Sequence, residues 1–169
     1  MKYNKVALVG MPGSGKTKTA KIISEKLGIN FFDTDKIFEE KFYSISEFFK
    51  IEGEKKFREE ESLILKDTVN KSDFILSTGG GIILKPENRE ILFNSAVTTF
   101  YLKTSIEELL RRLSKDNTRP LLENKLDKTK SLIKLSEERE KYYLQAKHIV
   151  ITDNKSTNTV ANEIIEMIK

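Results

Sequence analysis

The chain has 169 residues, of which 38% are hydrophobic and 33% charged, enough for a buried core in a single domain spanning 1–169. It contains no cysteine, which excludes disulfides and thiolate metal sites, and no apolar run approaches the roughly 20 residues that span a bilayer. Basic and acidic residues are interspersed around a net charge of +4, which favours a mixed solvated surface over a nucleic-acid-binding stripe.

The first predicted elements surround a glycine-rich loop. Residues 1–5 lead almost directly into the apolar run Val6–Val9, so we expect no signal peptide and a cytoplasmic protein. Val6–Val9 predicts a buried parallel strand, and Thr17–Leu27, with apolar residues at helical spacing, predicts the helix that follows. Residues 10–17, between them, are Gly-Met-Pro-Gly-Ser-Gly-Lys-Thr, the G-x-x-x-x-G-K-[ST] pattern of a P-loop.

The P-loop pattern indicates binding of nucleotide phosphates. Its glycines let backbone N–H groups converge on phosphate oxygens, and the next helix adds its positive N-terminal end. Lys16 is placed to reach between the β- and γ-phosphates, and the Thr17 hydroxyl to ligate Mg²⁺. A plain glycine turn is the alternative, but a preceding strand and a following helix are the context that supports the motif.

The remaining predicted elements alternate between strands and helices. We predict strands at Asn30–Asp33, Phe74–Ser77, Val97–Leu102 and His148–Thr152, and helices at 37–69 with a break near Gly53, 86–94, 105–113, 126–145 and 157–168. Such alternation predicts an α/β fold, a parallel sheet covered by helices in three α/β/α layers. The polar stretch 114–125 interrupts the pattern, and we expect a functional loop there rather than a linker.

Charged residues in or beside two of these elements are candidate site residues. Asp33 and Asp35 stand at the carboxyl end of a predicted strand, the edge where open α/β sheets bind ligands. One carboxylate can serve Mg²⁺ through water and the other orient a substrate hydroxyl and accept its proton, or both can cap the next helix; spacing leaves these alternatives open. Arg58, with Glu61 three residues later, taken alone favours a surface ion pair.

A glycine triplet and two later arginines are further candidates. Gly79–Gly81 directly follows a strand, and because three glycines cost backbone entropy, we expect a ligand to approach closely and accept from their N–H groups. A loose turn is the alternative. Arg119 lies in the stretch 114–125 and is a candidate for a loop-delivered arginine that stabilises the transferring phosphoryl group. Arg139 taken alone indicates only a surface residue.

Taken together, these motifs resemble the shikimate kinase family, in order and over nearly the whole chain. Beyond the P-loop, the matching stretches are Phe32–Asp35, Ser44–Phe49, Gly53-Glu54, Phe57-Arg58, Ser77–Gly81, Arg119–Leu122 and Arg139–Tyr143. The resemblance implies transfer of the ATP γ-phosphoryl group to the 3-hydroxyl of shikimate, in chorismate and aromatic amino-acid synthesis. It also implies a P-loop kinase fold like that of nucleoside monophosphate kinases, with a five-stranded sheet, a substrate-binding helical region at about 34–61 and a lid at about 114–125.

The resemblance further implies a role for individual residues. The implied catalytic residues are Lys16, Asp35 and Arg119, and the implied shikimate ligands are Asp35, Arg58, Gly80, Gly81 and Arg139. The implied ATP ligands are Gly13, Ser14, Gly15, Lys16, Thr17, Lys18 and Arg119, and the implied Mg²⁺ ligands are Thr17 and, through water, Asp33. The strand before the glycines ends in Ser77 instead of the Walker B aspartate, and whether Arg111 or Arg112 stacks on adenine stays open.

We therefore expect a Mg²⁺-dependent, ATP-using monomer that acts on shikimate and binds neither nucleic acid nor membrane. Another small-molecule P-loop kinase, for gluconate or a nucleoside monophosphate, is the alternative within enzymes. A non-catalytic P-loop regulator or a nucleic-acid-stimulated ATPase is more distant, since only the basic pI of about 9.1 suggests it.

Overall fold

The computed structural model describes residues 5–94, 96–114 and 125–168. Within these ranges, five strands form one parallel sheet in the order β2-β3-β1-β4-β5. The strands are β1 (Lys5–Val9), β2 (Asn30–Asp33), β3 (Phe74–Ser77), β4 (Thr98–Lys103) and β5 (His148–Ile151). The predicted five-stranded parallel α/β fold is confirmed, with strand ends shifted by at most one residue from the prediction.

The helices alternate with the strands along the chain. They are α1 (Lys16–Leu27), α2 (Thr34–Lys41), α3 (Ile45–Ile51), α4 (Gly53–Val69), α5 (Pro86–Phe93), α6 (Ile106–Leu113), α7 (Lys125–Tyr143) and α8 (Thr157–Ile168), with a 3₁₀ turn at Ile82–Leu84. Among the described residues, no helix combines the length and apolar character needed to cross a membrane.

The sheet is buried because helices cover both of its faces. The β1 residues Val6–Val9 are fully buried. On one face Ile23 of α1 and Ile164 of α8 pack in a single apolar cluster, and on the other Leu65 of α4 and Leu109 of α6 belong to a second. Strands covered on both faces need continuous apolar sequence, as β1 has. This arrangement leaves the carboxyl ends of the strands, and the loops that follow them, as the functional edge.

The helical stretch predicted at 37–69 is three helices, with one break more than expected. The expected break lies at Gly53, whose φ of 81° suits glycine. The additional break lies at 42–44, where the Ser44 side chain accepts the Glu47 N–H at 3.3 Å and caps α3. Ser-x-x-Glu is the sequence pattern of a helix start, so this break was readable from the chain.

An aromatic cluster holds these three short helices together. The Phe38 ring of α2 lies 4.9 Å from that of Phe48 in α3 and 4.7 Å from that of Phe57 in α4, measured between centroids. All three rings are buried. Aromatic pairs at these separations contribute beyond the area they bury. The cluster therefore fixes the start of α4 against α2, and with it the direction of the next side chain, Arg58.

Candidate active site

The P-loop turns from β1 into α1 at the carboxyl end of the central strand. Gly13 and Gly15 have φ values of 85° and 95°, which L side chains rarely adopt, so the curl of the loop requires glycine. The ammonium of Lys16 is buried and donates to the carbonyls of Gly10 and Met11 at 2.8 and 2.9 Å. The lysine is thus folded over the loop and held at the entrance to α1.

A cavity of about 950 Å³ is lined by the P-loop and by residues from several other elements. It extends past Arg112 to Thr152 and also reaches Asp35 and Gly80. The Ser14 hydroxyl at its floor is buried and has no hydrogen-bond partner among the described residues. A buried polar atom without a partner is costly. Together with the loop N–H groups and the lysine, this hydroxyl fits the oxygens of a bound phosphate chain.

Three oxygen-bearing side chains meet beside the P-loop. The Thr17 hydroxyl donates to Oδ2 of Asp33 at 2.7 Å and lies 3.2 Å from the Ser77 hydroxyl. Oδ1 of Asp33 accepts the N–H groups of Asp35 and Lys36, so the same carboxylate caps α2 and faces Thr17. Of the two aspartates, only Asp33 occupies the cap position.

This oxygen set fits Mg²⁺. Magnesium prefers oxygen ligands and usually keeps several waters, with one or two carboxylates and substrate phosphates completing its shell. Asp33 supplies one carboxylate and Thr17 and Ser77 supply hydroxyls. In the part of the chain that the structure describes, no group of three or more His, Cys, Asp or Glu side chains is arranged to hold a metal. A metal here would therefore depend on phosphate oxygens and water for most of its ligands.

Arg111 and Arg112 hold different positions at the other end of the cavity. Both pair with Glu108 at 2.7 Å, and their hydrogen bonds, that of Arg111 foremost, lower the pKa of Glu108 to about 2. Arg112 also donates to the carbonyls of Ser14 and Thr152, at 3.1 and 2.8 Å. Arg111 is 54% exposed and Arg112 only 23%. Arg112 therefore bridges the P-loop and the loop after β5, with its guanidinium plane fixed along the cavity wall.

Arg58 is held by a buried carboxylate, unlike the surface ion pair that its spacing alone favours. NH1 of Arg58 lies 2.8 Å from Oε2 of Glu61, and NH2 lies 3.2 Å from Oε1 of Glu54. Glu61 is only 2% exposed. Burial raises the pKa of Glu61 to about 7, although the neighbouring Arg58 acts in the opposite direction. The guanidinium thus has a fixed orientation.

The first glycine of the triplet brings two carboxylates together. A Cβ on Gly79 would lie 2.5 Å from Oδ1 of Asp35 and 2.9 Å from Oε1 of Glu61, so any larger residue there would have to displace these carboxylates. The N–H of Gly79 donates to the Thr34 hydroxyl at 2.8 Å, which ties the triplet to the start of α2. Asp35 therefore lies between the two halves of the site, because it also lines the P-loop cavity.

The other two glycines bring two arginines to the same loop. A Cβ on Gly81 would lie 2.6 Å from NH1 of Arg58, and one on Gly80 would lie 3.4 Å from NH1 of Arg139. Nε of Arg139 is buried without a hydrogen-bond partner among the described residues. Two guanidinium groups and Asp35 thus surround the triplet, an arrangement that suits a small acid carrying hydroxyl groups.

The structure therefore brings together Asp35, Arg58, Gly80, Gly81 and Arg139 around one loop, and it places the P-loop residues on the adjoining cavity. Lys18 is exposed and lines that cavity. Arg119, and the expected lid except for its two end residues, lie outside the described residues.

Sequence reasoning did not identify two hydroxyls that hold the glycine triplet. Thr34 stands between the two aspartates, and its side chain accepts from Gly79. Tyr143 donates to the Gly80 carbonyl at 2.6 Å. Tyr143 follows Arg139 by four residues on a helix, and this spacing was a usable signal because it places both side chains on one helical face.

Comparisons with known proteins show the family to which this fold and sequence are similar. The shikimate kinase family model matches residues 12–169. A shikimate kinase from Caldicellulosiruptor saccharolyticus is 39% identical, with 96% of this chain and 94% of the relative covered. One from Legionella pneumophila is 35% identical, with 98% and 95% covered. A structure of the Acinetobacter baumannii shikimate kinase in complex with shikimate has a TM-score of 0.89 at 32% identity, covering 98% of this chain and 93% of that one. A crystal structure of the Aquifex aeolicus shikimate kinase has a TM-score of 0.81 at 33% identity, covering 96% and 94%.

Proposed function

The chain belongs to the shikimate kinase family, and we propose that this site transfers the γ-phosphoryl group of ATP to the 3-hydroxyl of shikimate. The observation that carries the proposal is the convergence of Asp35, Arg58 and Arg139 on the glycine triplet, directly beside a P-loop cavity. One half of the site thus suits phosphates and the other a small hydroxylated acid. The residue roles that follow are inferred from this geometry.

Arg58 and Arg139 bind the shikimate carboxylate. A guanidinium presents its donors in a planar fork that matches both oxygens of a carboxylate, which the point charge of lysine does not. Glu61 holds the Arg58 fork at 2.8 Å, so little side-chain entropy is lost on binding. The unpartnered Nε of Arg139 supports the same role, since a bound anion would satisfy it. Backbone N–H groups of Gly80 and Gly81 are further donors.

Asp35 orients the substrate hydroxyl and accepts its proton. The hydroxyl oxygen forms a new bond to the γ-phosphorus while the bond between that phosphorus and the β–γ bridging oxygen breaks, and ADP leaves. Because the transition state of phosphoryl transfer is loose in most analyses, the proton leaves late, and a strong base is not needed. A carboxylate placed between the acid site and the cavity meets this requirement.

The P-loop holds the phosphates through backbone N–H groups from Gly13 to Thr17 and through the Lys16 ammonium. When ATP binds, the Lys16 ammonium exchanges its hydrogen bonds to the Gly10 and Met11 carbonyls for bonds to phosphate oxygens. The flexible lysine side chain allows this exchange. Thr17 and, through water, Asp33 would hold Mg²⁺, which would supply positive charge to offset that of the ATP phosphates. The fixed guanidinium plane makes Arg112, not Arg111, the candidate for stacking on adenine.

The proposed function also involves the stretch 114–125 and properties of the chain as a whole. Arg119 approaches the transferring phosphates as the stretch 114–125 closes over the cavity, which keeps water from hydrolysing ATP. The substrate-binding region comprises about 34–61, and the whole chain forms one domain. We further propose a cytoplasmic monomer that binds neither nucleic acid nor membrane, and size-exclusion chromatography with light scattering tests the monomer.

The test of the proposed function is ADP formation measured with shikimate, gluconate and nucleoside monophosphates in parallel, in the presence of ATP and Mg²⁺. We expect ADP formation that depends on shikimate alone, and shikimate 3-phosphate as the phosphorylated product by NMR. ADP formation that depends on gluconate or a nucleoside monophosphate, or that is stimulated by RNA or DNA and indifferent to shikimate, would overturn the proposal.

A further inference from the structure

The Tyr143 side chain joins α7 to the glycine triplet from inside the core. It is fully buried, and its hydroxyl donates to the carbonyl of Gly80 at 2.6 Å. Its ring stacks on that of Tyr101 in β4, with centroids 5.1 Å apart and planes 24° apart. The ring is therefore anchored to the sheet, and the hydroxyl is the part of the side chain that reaches the site.

The phenol stays a donor at any pH the enzyme meets. Burial raises the pKa of Tyr143 to about 12, although the nearby Arg139 guanidinium acts in the opposite direction. A protonated phenol supplies one O–H donor, and the Gly80 carbonyl accepts it. Without that donor, the partly buried carbonyl of Gly80 would lose this hydrogen bond.

The same carbonyl belongs to the residue that Arg139 approaches. NH1 of Arg139 lies 3.4 Å from the position that a Cβ on Gly80 would take, and Arg139 precedes Tyr143 by four residues on α7. Side chains four apart on a helix share one face. The hydroxyl of Tyr143 and the guanidinium of Arg139 thus both face Gly80 from one helix.

Two contacts from α5 hold the following turn, so that Tyr143 is the link specific to Gly80. The Asn88 side chain donates to the carbonyl of Ile82 at 2.9 Å, and that of Arg89 donates to the carbonyl of Ile83 at 2.8 Å. These bonds fix the 3₁₀ turn after the triplet. The hydroxyl of Tyr143, by contrast, joins α7 to the triplet itself.

We propose that Tyr143 is a positioning residue for the acid substrate: its hydroxyl fixes the Gly80 carbonyl and thereby sets the distance between the glycine triplet and the Arg139 guanidinium. The inference rests on the proposed function, because it concerns how that acid is bound. It assigns Tyr143 no contact with the reacting atoms, so substrate affinity should change far more than the chemical step.

The test is Tyr143→Phe, which removes only the hydroxyl. We expect the KM for shikimate to rise about tenfold, because a small misplacement of binding groups has a cost of this order, with kcat and the KM for ATP changed less than about twofold. Tyr101→Phe is the matched control, since it removes a buried phenol from the same ring stack without touching the triplet. It should leave the KM for shikimate unchanged.

A double-mutant cycle with Arg139→Lys separates positioning from general loosening. If Tyr143 acts through the placement of Arg139, the losses in shikimate affinity from the two variants should combine to less than their sum. Additive losses, an unchanged KM for shikimate, an equal rise in both KM values, or failure of Tyr143→Phe to fold would each overturn the inference. Absence of shikimate-dependent ADP formation in the unmodified protein would instead overturn the proposed function.

Discussion

In the proposed site, residues 10–17 supply the phosphate side from one continuous stretch, whereas the acid side takes side chains from α2, α4 and α7 and backbone from the loop after β3. The phosphate side works mainly through backbone N–H groups, which glycine geometry and a helix start position locally. The acid side depends on side chains that the packing of three helices brings to one loop. The two sides should therefore respond differently to substitution.

The largest effect should come from Lys16→Ala on the phosphate side. Removing this ammonium takes away a preorganised positive charge at the transferring phosphoryl group, and we expect kcat to fall at least about 10³-fold. The fold should survive, because the Nζ contacts given by the structure are two loop carbonyls. Steady-state kinetics measures kcat, and circular dichroism measures whether the fold is kept. Lys21→Ala, on the exposed side of α1, is the control. Full activity of Lys16→Ala would contradict the role given to the P-loop.

On the acid side, Arg58→Ala should raise the KM for shikimate about 100-fold while leaving ATP binding intact. Truncating one partner of a desolvated charge pair costs about 2–5 kcal/mol, and about 1.4 kcal/mol corresponds to a factor of ten. Isothermal titration with each ligand separately measures the two affinities. Lys55→Ala, which removes an exposed cation from the same helix, is the matched control. An equal loss of ATP affinity would contradict the prediction, because Arg58 would then affect the phosphate side as much as the acid side.

A smaller effect of the same kind should follow from Gly81→Ala. The backbone of Gly81 has φ of −93°, which alanine adopts readily, so the added methyl acts only through space. It would lie 2.6 Å from NH1 of Arg58 and must displace the guanidinium. We expect the KM for shikimate to rise about tenfold, since small misplacements of binding groups have costs of this order. Combining it with Arg58→Ala should add little further loss, and a fully additive double variant would contradict the steric explanation.

The difference between local features and features that depend on packing also explains how much of the molecule could be predicted from sequence. The P-loop and the strand–helix alternation were readable because each depends on local periodicity and glycine placement. The burial of Arg58 against Glu61 was not, because an i,i+3 ion pair has the same spacing on a surface as in a core. The resemblance to the shikimate kinase family identified Arg58 and Arg139 as site candidates. It did not identify the hydroxyls of Thr34 and Tyr143, which hold the glycine triplet.

Asp33 illustrates a second limit of sequence reasoning. The alternatives of helix cap and metal-site carboxylate are both compatible with its position, since one oxygen caps α2 and the other accepts from Thr17. A carboxylate has two oxygens, and no spacing rule states that they must serve the same purpose.

The most specific prediction concerns Glu61 and the pH dependence of stability. Its pKa is raised from the ordinary value of 4.5 to about 7, chiefly by burial. Between these values the native protein therefore binds more protons than the unfolded chain, and the free energy of unfolding falls as pH rises through this window. At about 1.4 kcal/mol per pKa unit, this one group accounts for a fall of about 3 kcal/mol.

Glu61→Gln should remove that fall while keeping a polar side chain beside Arg58. Urea unfolding at several values between pH 4.5 and pH 8 measures the slope for both proteins. Glu54→Gln is the matched control, because Glu54 pairs with the same arginine but is 61% exposed, and exposed pairs contribute little to stability. A Glu61→Gln variant with the slope of the unmodified protein would mean that the buried carboxyl costs nothing to ionise. The ion pair with Arg58 would then offset the cost of burial completely, and Arg58 would face a charged partner throughout this pH range.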